Sequence, residues 1–331
     1  MKLKKCAALL LVSSCLLTGC TTSSAKKVDS KYVVASLGKG NKTKNIFADN
    51  LYKDIIDNSS NNSTVFNAVL QNLVDQKFPV NDDMKEDAAT IIKQIKSAYK
   101  SNYGDNYKDS LNQALTSAGY KNLSEYRQKM IKQIQYANFL LDYIDDHFDD
   151  VFNDYYQQCA PKYVSLIKIS VSDTSSPTDD ETSKLNEVKE LISNTDKSFG
   201  DIAQDYSNDS TSSKKGSLGI VDSKDTSGIA NSYGKDVFNA IEALSEGQVS
   251  DVITGDNGYY FVKVTSTDKK TLKKELKKTD IDSPLLAYDD YLQYVVYNSY
   301  KINYKDKDIK KIVQEVVNKA LEERKTERGE A

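Results

Sequence analysis

The chain has one histidine in 331 residues, no tryptophan and, past residue 20, a single cysteine, Cys159. Each scarcity excludes something. The lone His147 sits in the acidic run Asp145-Asp-His-Phe-Asp149, but metal ligation by histidine usually needs a second His or Cys at fixed spacing, so no metal and no cofactor is expected. One remaining thiol cannot form an internal disulfide, so an exported form has to rely on its core. Positive charge is not in excess either: 45 Lys and Arg face 48 Asp and Glu, for a net charge of −3. That balance argues against a global basic patch and against nucleic acid as a partner. Past the first twenty residues no segment is apolar enough to span a bilayer, and no tandem repeat is visible. What is abundant is tyrosine, 22 residues of it. Its large apolar face with one wet end suits weak, promiscuous contact with unfolded chain as well as core packing.

The first twenty residues read as a targeting device. Lys2, Lys4 and Lys5 make a positive start, Cys6 to Leu17 an apolar stretch too short to cross a membrane, and Leu17-Thr-Gly-Cys20 closes it. That closing sequence resembles the bacterial lipobox, which implies cleavage after residue 19 and a diacylglyceryl thioether on Cys20. Two acyl chains give stable anchoring where one does not. An ordinary secretory signal with a chance cysteine is the alternative. Loss of Lys2, Lys4 and Lys5 takes the net charge from −3 to −6, so the membrane link is covalent and not electrostatic.

Residues 28 to 160 read as helix. Phe66, Val69, Leu70, Leu73 and Val74 share one face of a helix over Thr64 to Phe78 that stops at Pro79. Asn122 and Glu125 form a capping-box pattern before a longer helix with Tyr126, Met130, Ile134, Leu141 and Ile144 at helical spacing. Asp83 to Tyr120, polar and poor in aliphatics, suggests shorter helices with loops near Gly104 and Gly119. At Pro161 the period changes: Tyr163 to Val171 alternates as a strand, Lys184 to Ile192 reads as a helix, and Gly255-Asp-Asn-Gly258 marks a hairpin. After Asp268 helix resumes, with Ile309, Ile312, Val316 and Ala320 as a final stripe before a charged tail.

Within this frame Phe199 to Asp209, Gly216-Ser-Leu-Gly219, Phe238 to Leu244, Gly247-Gln-Val-Ser250 and Gly258-Tyr-Tyr-Phe-Val-Lys-Val264 follow one another in the order of a parvulin-type prolyl isomerase domain. With the lipobox and the flanking helices, the chain resembles the PrsA-type foldase lipoproteins of Gram-positive bacteria. The resemblance implies an α+β protein: a helical chaperone lobe built from N- and C-terminal segments with an inserted parvulin-like (FKBP-like βα3βαβ2) domain. The expected divisions are 1–19 signal peptide, 20–30 lipidated tether, 31–160 N-terminal helical segment, 161–268 parvulin-like domain, and 269–331 C-terminal helical segment with the tail. The implied role is assistance to unfolded or newly exported proteins on the outer face of the cell membrane. Self-association as a homodimer stays open.

Carried onto this sequence, the family pattern puts Asp209 at its Cys/Asp position, Ser217 in place of the Asp of the glycine loop, and Ile229 and Tyr233 on the pocket walls, with Phe238 beside them. Its two strand histidines fall on Leu166 and Tyr260. Asp209, Ser217 and Tyr260 are therefore the candidate catalytic residues, and Leu166, Ile229, Tyr233 and Phe238 the candidate substrate-binding ones. Two readings follow: a retuned active site in which hydroxyls replace imidazoles, or a binding site that no longer catalyses. An active peptidyl-prolyl isomerase is the rival within the enzyme class. A solute-binding lipoprotein is the rival outside it, opposed by the absence of repeated βα units. The lysines of Asp268-Lys-Lys and Lys273-Lys-Glu-Leu-Lys-Lys278 read as a solvated helix face, or as a contact for acidic cell-wall polymer.

Overall fold

The computed structural model describes residues 27–37, 44–276 and 281–330; the apolar leader and Cys20 lie outside the described residues. Strands β1 (Lys27–Val28), β2 (Lys31–Leu37) and β3 (Lys44–Phe47) lead into helices α1 (Ala48–Ile56) and α2 (Asn62–Lys77). Helices α3 (Asp82–Tyr103), α4 (Tyr107–Ser117), α5 (Leu123–Asp146) and α6 (Phe148–Cys159) follow. Then come β4 (Lys162–Ser170), α7 (Asp179–Asn194), α8 (Phe199–Tyr206), β5 (Ser217–Val221), α9 (Ile229–Tyr233) and α10 (Lys235–Ala243). The hairpin strands β6 (Ile253–Gly255) and β7 (Gly258–Ser266) precede α11 (Lys269–Glu275), α12 (Leu292–Ser299) and α13 (Lys307–Glu327). A mainly helical protein with an inserted α+β domain is the result.

Two of these elements correct the sequence reading. Residues 27–37 and 44–47 form a three-stranded antiparallel sheet where helix was expected. Lys31-Tyr-Val-Val-Ala-Ser-Leu37 has two adjacent valines and a tyrosine, residues that lose side-chain freedom in a helix and fit a pleated surface. Asp82 to Tyr103 is one helix of 22 residues, longer than expected, although the breaks near Gly104 and Gly119 fall where the sequence placed them. Asn81 caps its start by accepting the Met84 amide at 2.9 Å, and Gly104, at φ +53°, ends it. Its few large aliphatics suffice because it needs only one buried stripe, Met84, Ala88 and Ile92, packed with Leu111, Leu115, Met130 and Ile134. The expected cap at Asn122 forms, with the Glu125 amide donating to its side chain at 3.0 Å, but the Glu125 carboxylate takes the Lys121 amide instead of that of Asn122.

The described residues divide into two compact units, 80–290 and, discontinuously, 27–79 with 291–330. In the second, Phe66 of α2 stacks on Tyr294 at 5.0 Å and meets Tyr297 edge-on at 5.1 Å, so chain segments more than 200 residues apart share one core. The dividing lines fall at 79/80 and 290/291, whereas the sequence reading grouped 31–160 with 269–331. The physical reason lies in α6. Tyr155 donates to the fully buried Asp222 at 2.8 Å, Tyr156 to the Thr267 carbonyl at 3.0 Å, and Tyr288 to Asp154 at 2.8 Å, which ties the last helix before the inserted domain to that domain. The lysine run contributes too, since Lys273 pairs with Asp149 at 2.7 Å and Lys269 lies over the Tyr156 ring.

The inserted domain is built on an antiparallel sheet of order β5-β4-β7-β6. Both faces of β4 are buried: Val164 and Leu166 point into one apolar cluster, Ile167 and Ile169 into the other. Gly258 opens β7 at φ +156°, where a Cβ would run into the Ile169 carbonyl, so no other residue fits the turn without moving the strand.

Candidate functional site

The face of the sheet carrying Leu166, Tyr260 and Val262 is covered by α9 and α10, which bring Ile229, Val237 and Ile241 into the same cluster. Helix α9 is only five residues long and depends on its cap. Asp225 supplies it by accepting the Ile229 amide at 2.5 Å and the Ala230 amide at 2.9 Å. That fixes Ile229, 4 % exposed, as buried wall and leaves Tyr233 half-buried at the helix end.

Asp209 comes from the loop after α8. The loop is stitched to β4: the Asn208 amide donates to the Lys168 carbonyl at 2.8 Å, and Ser207 Oγ accepts the Lys168 amide at 3.0 Å. Asp209 is thereby held buried, with its Oδ1 accepting from the Thr211 amide (2.9 Å), the Thr211 hydroxyl (2.8 Å) and the Tyr233 hydroxyl (3.4 Å). The Tyr233 ring meets the Tyr260 ring edge-on at 6.2 Å. Tyr260 donates to Asn257 at 2.9 Å, and the Lys168 ammonium lies 5.6 Å from its ring centre. Burial pushes the Tyr233 hydroxyl well above the usual phenol value, with the Asp209 charge and hydrogen bond adding to it. Burial first and the Asp209 charge second also raise Tyr260. Both phenols are thus protonated donors at neutral pH.

The structure therefore brings Asp209, Tyr233 and Tyr260 together beside Ile229, with Phe238 packed against the same cluster. Two candidates stand elsewhere. Ser217 pairs with Ser165 and donates to the Tyr163 hydroxyl at 2.8 Å, so it lies on the opposite face of the sheet from Leu166 and Tyr260, because cross-strand partners point the same way. Leu166 has no exposed surface at all and forms the floor of the core, out of a substrate's reach. His147 joins α5 to α6, stacked at 4.1 Å on Tyr143 with its Nδ1 on the Tyr143 carbonyl at 2.9 Å. Among the described residues no group of three His, Cys, Asp or Glu is placed to hold a metal ion. Cys159 is buried and in no disulfide.

Sequence reasoning missed Asp222 and Asp225. Asp222 gathers the Tyr155 hydroxyl, the Thr226 hydroxyl and the Lys224 and Thr226 amides, and Lys224 Nζ reaches the Tyr288 carbonyl at 2.8 Å. The available signal was an Asp just after a strand, followed three residues on by a second Asp and then Gly228 ahead of a helix, an arrangement that favours side-chain capping.

A carboxylate and two phenols at the rim of an apolar cluster can grip a proline ring on one side and offer hydrogen bonds to its amide on the other. Isomerisation needs no nucleophile, because its barrier of roughly 18–20 kcal/mol is lost amide resonance; a site speeds it by binding the twisted amide more tightly than the planar one.

Residues 166–266 match the family model described as Rotamase, PPIC-type PPIASE domain. Among the curated proteins, the foldase protein PrsA of Staphylococcus epidermidis is 32 % identical over 141 residues, which is 40 % of this chain and 41 % of that protein. That of Staphylococcus aureus gives the same identity and coverage. The chain thus spans about two fifths of the length of the curated relatives it matches. Among solved structures, foldase protein PrsA from Streptococcus pneumoniae is 19 % identical with a TM-score of 0.39, over 85 % of this chain and 99 % of that one. PrsA from Bacillus subtilis is 22 % identical with a TM-score of 0.38, over 85 % and 98 %.

Proposed function

We propose, with residues 166–266 as a PPIC-type peptidyl-prolyl isomerase domain, that the chain is a membrane-anchored foldase that helps exported proteins fold after they cross the membrane. Its helical parts hold unfolded clients, and its inserted domain binds their proline-containing segments with weak catalysis. The carrying observation is the trio Asp209, Tyr233 and Tyr260 beside the apolar cluster: a carboxylate and two phenols next to Ile229 and Phe238, but no imidazole. The only histidine, His147, is used at the junction of α5 and α6. General acid–base assistance is typically worth about 10²–10⁴-fold, so a site without imidazoles binds far better than it turns over. Cys20 attaches the protein by a diacylglyceryl thioether, and the clients are unfolded or newly exported chains.

An active isomerase is the second reading, favoured by the Tyr233 hydroxyl on Asp209, which gives a donor and a carboxylate one shared position. The test uses residues 21–331 with a denatured, proline-rich client. Aggregation suppressed at near-stoichiometric protein, and weakened by Tyr233→Ala, fits the proposal; an undiminished rate of client aggregation contradicts it. For the anchor, Cys20→Ala should abolish lipid labelling and membrane fractionation in cells. A processed, lipid-labelled variant would contradict that part.

A further inference from the structure

Eight large apolar residues stand exposed among the described residues, and seven of them lie between Val28 and Ile55. Four belong to the N-terminal sheet: Val28, Tyr32, Val34 and Ile46. Val33 pairs with Phe47, and Lys31, in phase with Val33, reaches Asp49 of α1 at 3.4 Å, so that face turns toward α1. Tyr32 points the other way, and Ile46, next to Phe47 in its strand, joins it; a bulge between Val33 and Ala35 sets Val34 and Ala35 together opposite Ile46. Tyr32, Val34 and Ile46 are 47 %, 45 % and 46 % exposed. Lys27 lies over the Tyr32 ring at 4.6 Å. In sequence, residues 26–47 hold six lysines and one acid, Asp29, in a chain of net charge −3, and of those described in the sheet Lys27, paired with Tyr32, and Lys44, in phase with Ile46, share this face.

We infer that the Tyr32, Val34 and Ile46 face of this sheet lies on the membrane surface, with the aromatic and aliphatic side chains in the interface and the lysines on anionic lipid headgroups. The inference rests in part on the lipidation of Cys20 proposed above. Seven residue steps separate Cys20 from Lys27, where β1 begins. Fully extended, seven residues reach at most about 25 Å, so the sheet cannot leave the neighbourhood of the headgroups. A basic, partly aromatic surface held there gains from both burial and charge. A client protein or a second copy has no comparable reason to meet a lysine-rich face that the tether keeps at the bilayer.

The experiment uses residues 21–331, which carry every described residue and no acyl chain, so its outcome does not depend on whether Cys20 is lipidated. The probe is vesicles of phosphatidylcholine alone or with one third phosphatidylglycerol, at low salt. Sedimentation should show binding to the anionic vesicles about tenfold above the neutral ones. The double variant Lys27→Gln with Lys44→Gln should lose most of that excess, about tenfold in all, and Tyr32→Ser with Val34→Ser and Ile46→Ser about tenfold or more. Because the chain has no tryptophan, Val34→Trp gives a sole fluorescent reporter that keeps the face apolar should the serine variant misfold. Its emission should shift to the blue on anionic vesicles. No shift, equal binding to both vesicle types, a shift only with a denatured protein, or a shift that follows self-association without lipid would each overturn the inference.

Discussion

The two faces of the sheet β5-β4-β7-β6 bury apolar clusters of similar make-up but end differently. Behind Ile167, Ile169 and Phe261, helices α7 and α8 close the core with Leu185, Val188, Phe199 and Ile202. On the Leu166 and Tyr260 side, the short α9 leaves half-buried Tyr233 and Phe238 along the rim, and the polar groups there come from loops: Asp209 after α8 and Asn257 in the hairpin. This side of the domain is thus a less completely closed core. Strands supply its floor, and the chemistry is added by segments that can change without disturbing the sheet.

The sharpest way to break that comparison is to put the family histidine back on the floor. Leu166→His places an imidazole in a site with no exposed surface, at a cost of about 2–5 kcal/mol, similar to Ile167→Ala on the sealed face. Urea unfolding measures both. A loss below about 1 kcal/mol for Leu166→His would mean that this face holds a polar partner and that the two faces differ in their cores as well as their rims. Next in size is Asp222→Ala, which leaves the buried Tyr155 hydroxyl unpaired and should cost about 1–3 kcal/mol. Hydrogen exchange should then rise in α6 as well as in the loop after β5. Exchange confined to the loop would show that the α6 contact is not energetically coupled to the domain.

Tyr233→Phe removes a long 3.4 Å bond to Asp209 and should shift stability by less than about 1 kcal/mol while lowering affinity for a proline peptide. The reverse outcome, a large stability loss with unchanged affinity, would make Tyr233 a core residue. The pH dependence separates rim from surface. Glu181, held low by the Thr178 amide, Asp201, held low by Lys215, and Glu246, held low by the Thr267 amide, contribute stability that is present above the ordinary carboxylate value and lost as pH falls through their lowered folded values. Tyr233, raised by burial, contributes stability that is present below the ordinary phenol value and lost as pH rises above it. Thermal scans should therefore show Tyr233→Phe blunting the alkaline loss and leaving the acid limb unchanged.

Much of the inserted domain was legible because its signals are local. Alternation marks β4, the Gly255 to Gly258 turn marks the hairpin, and Gly258 is forced by a backbone clash with Ile169. The meeting of Asp209, Tyr233 and Tyr260 was visible only through family resemblance, since the three lie up to 51 positions apart. Ser217 illustrates the limit: one irregularity in the β4–β5 register decides which face it occupies, and register is set by long-range pairing. The N-terminal sheet escaped notice because strands of two, seven and four residues leave little room for a period to show. The attachment of α6 to the domain depends on single tyrosine hydroxyls finding Asp222 and the Thr267 carbonyl, which no pattern in sequence displays.

The central claim is that the rim binds and the missing imidazoles remove rate. A protease-coupled proline-peptide assay on residues 21–331, set beside a PPIC-type domain that keeps both histidines, tests it most directly. The account predicts turnover lower by about 10²–10⁴-fold with peptide affinity retained. Turnover within about tenfold, abolished by Asp209→Ala, would contradict it and make Asp209 and Tyr260 catalytic residues.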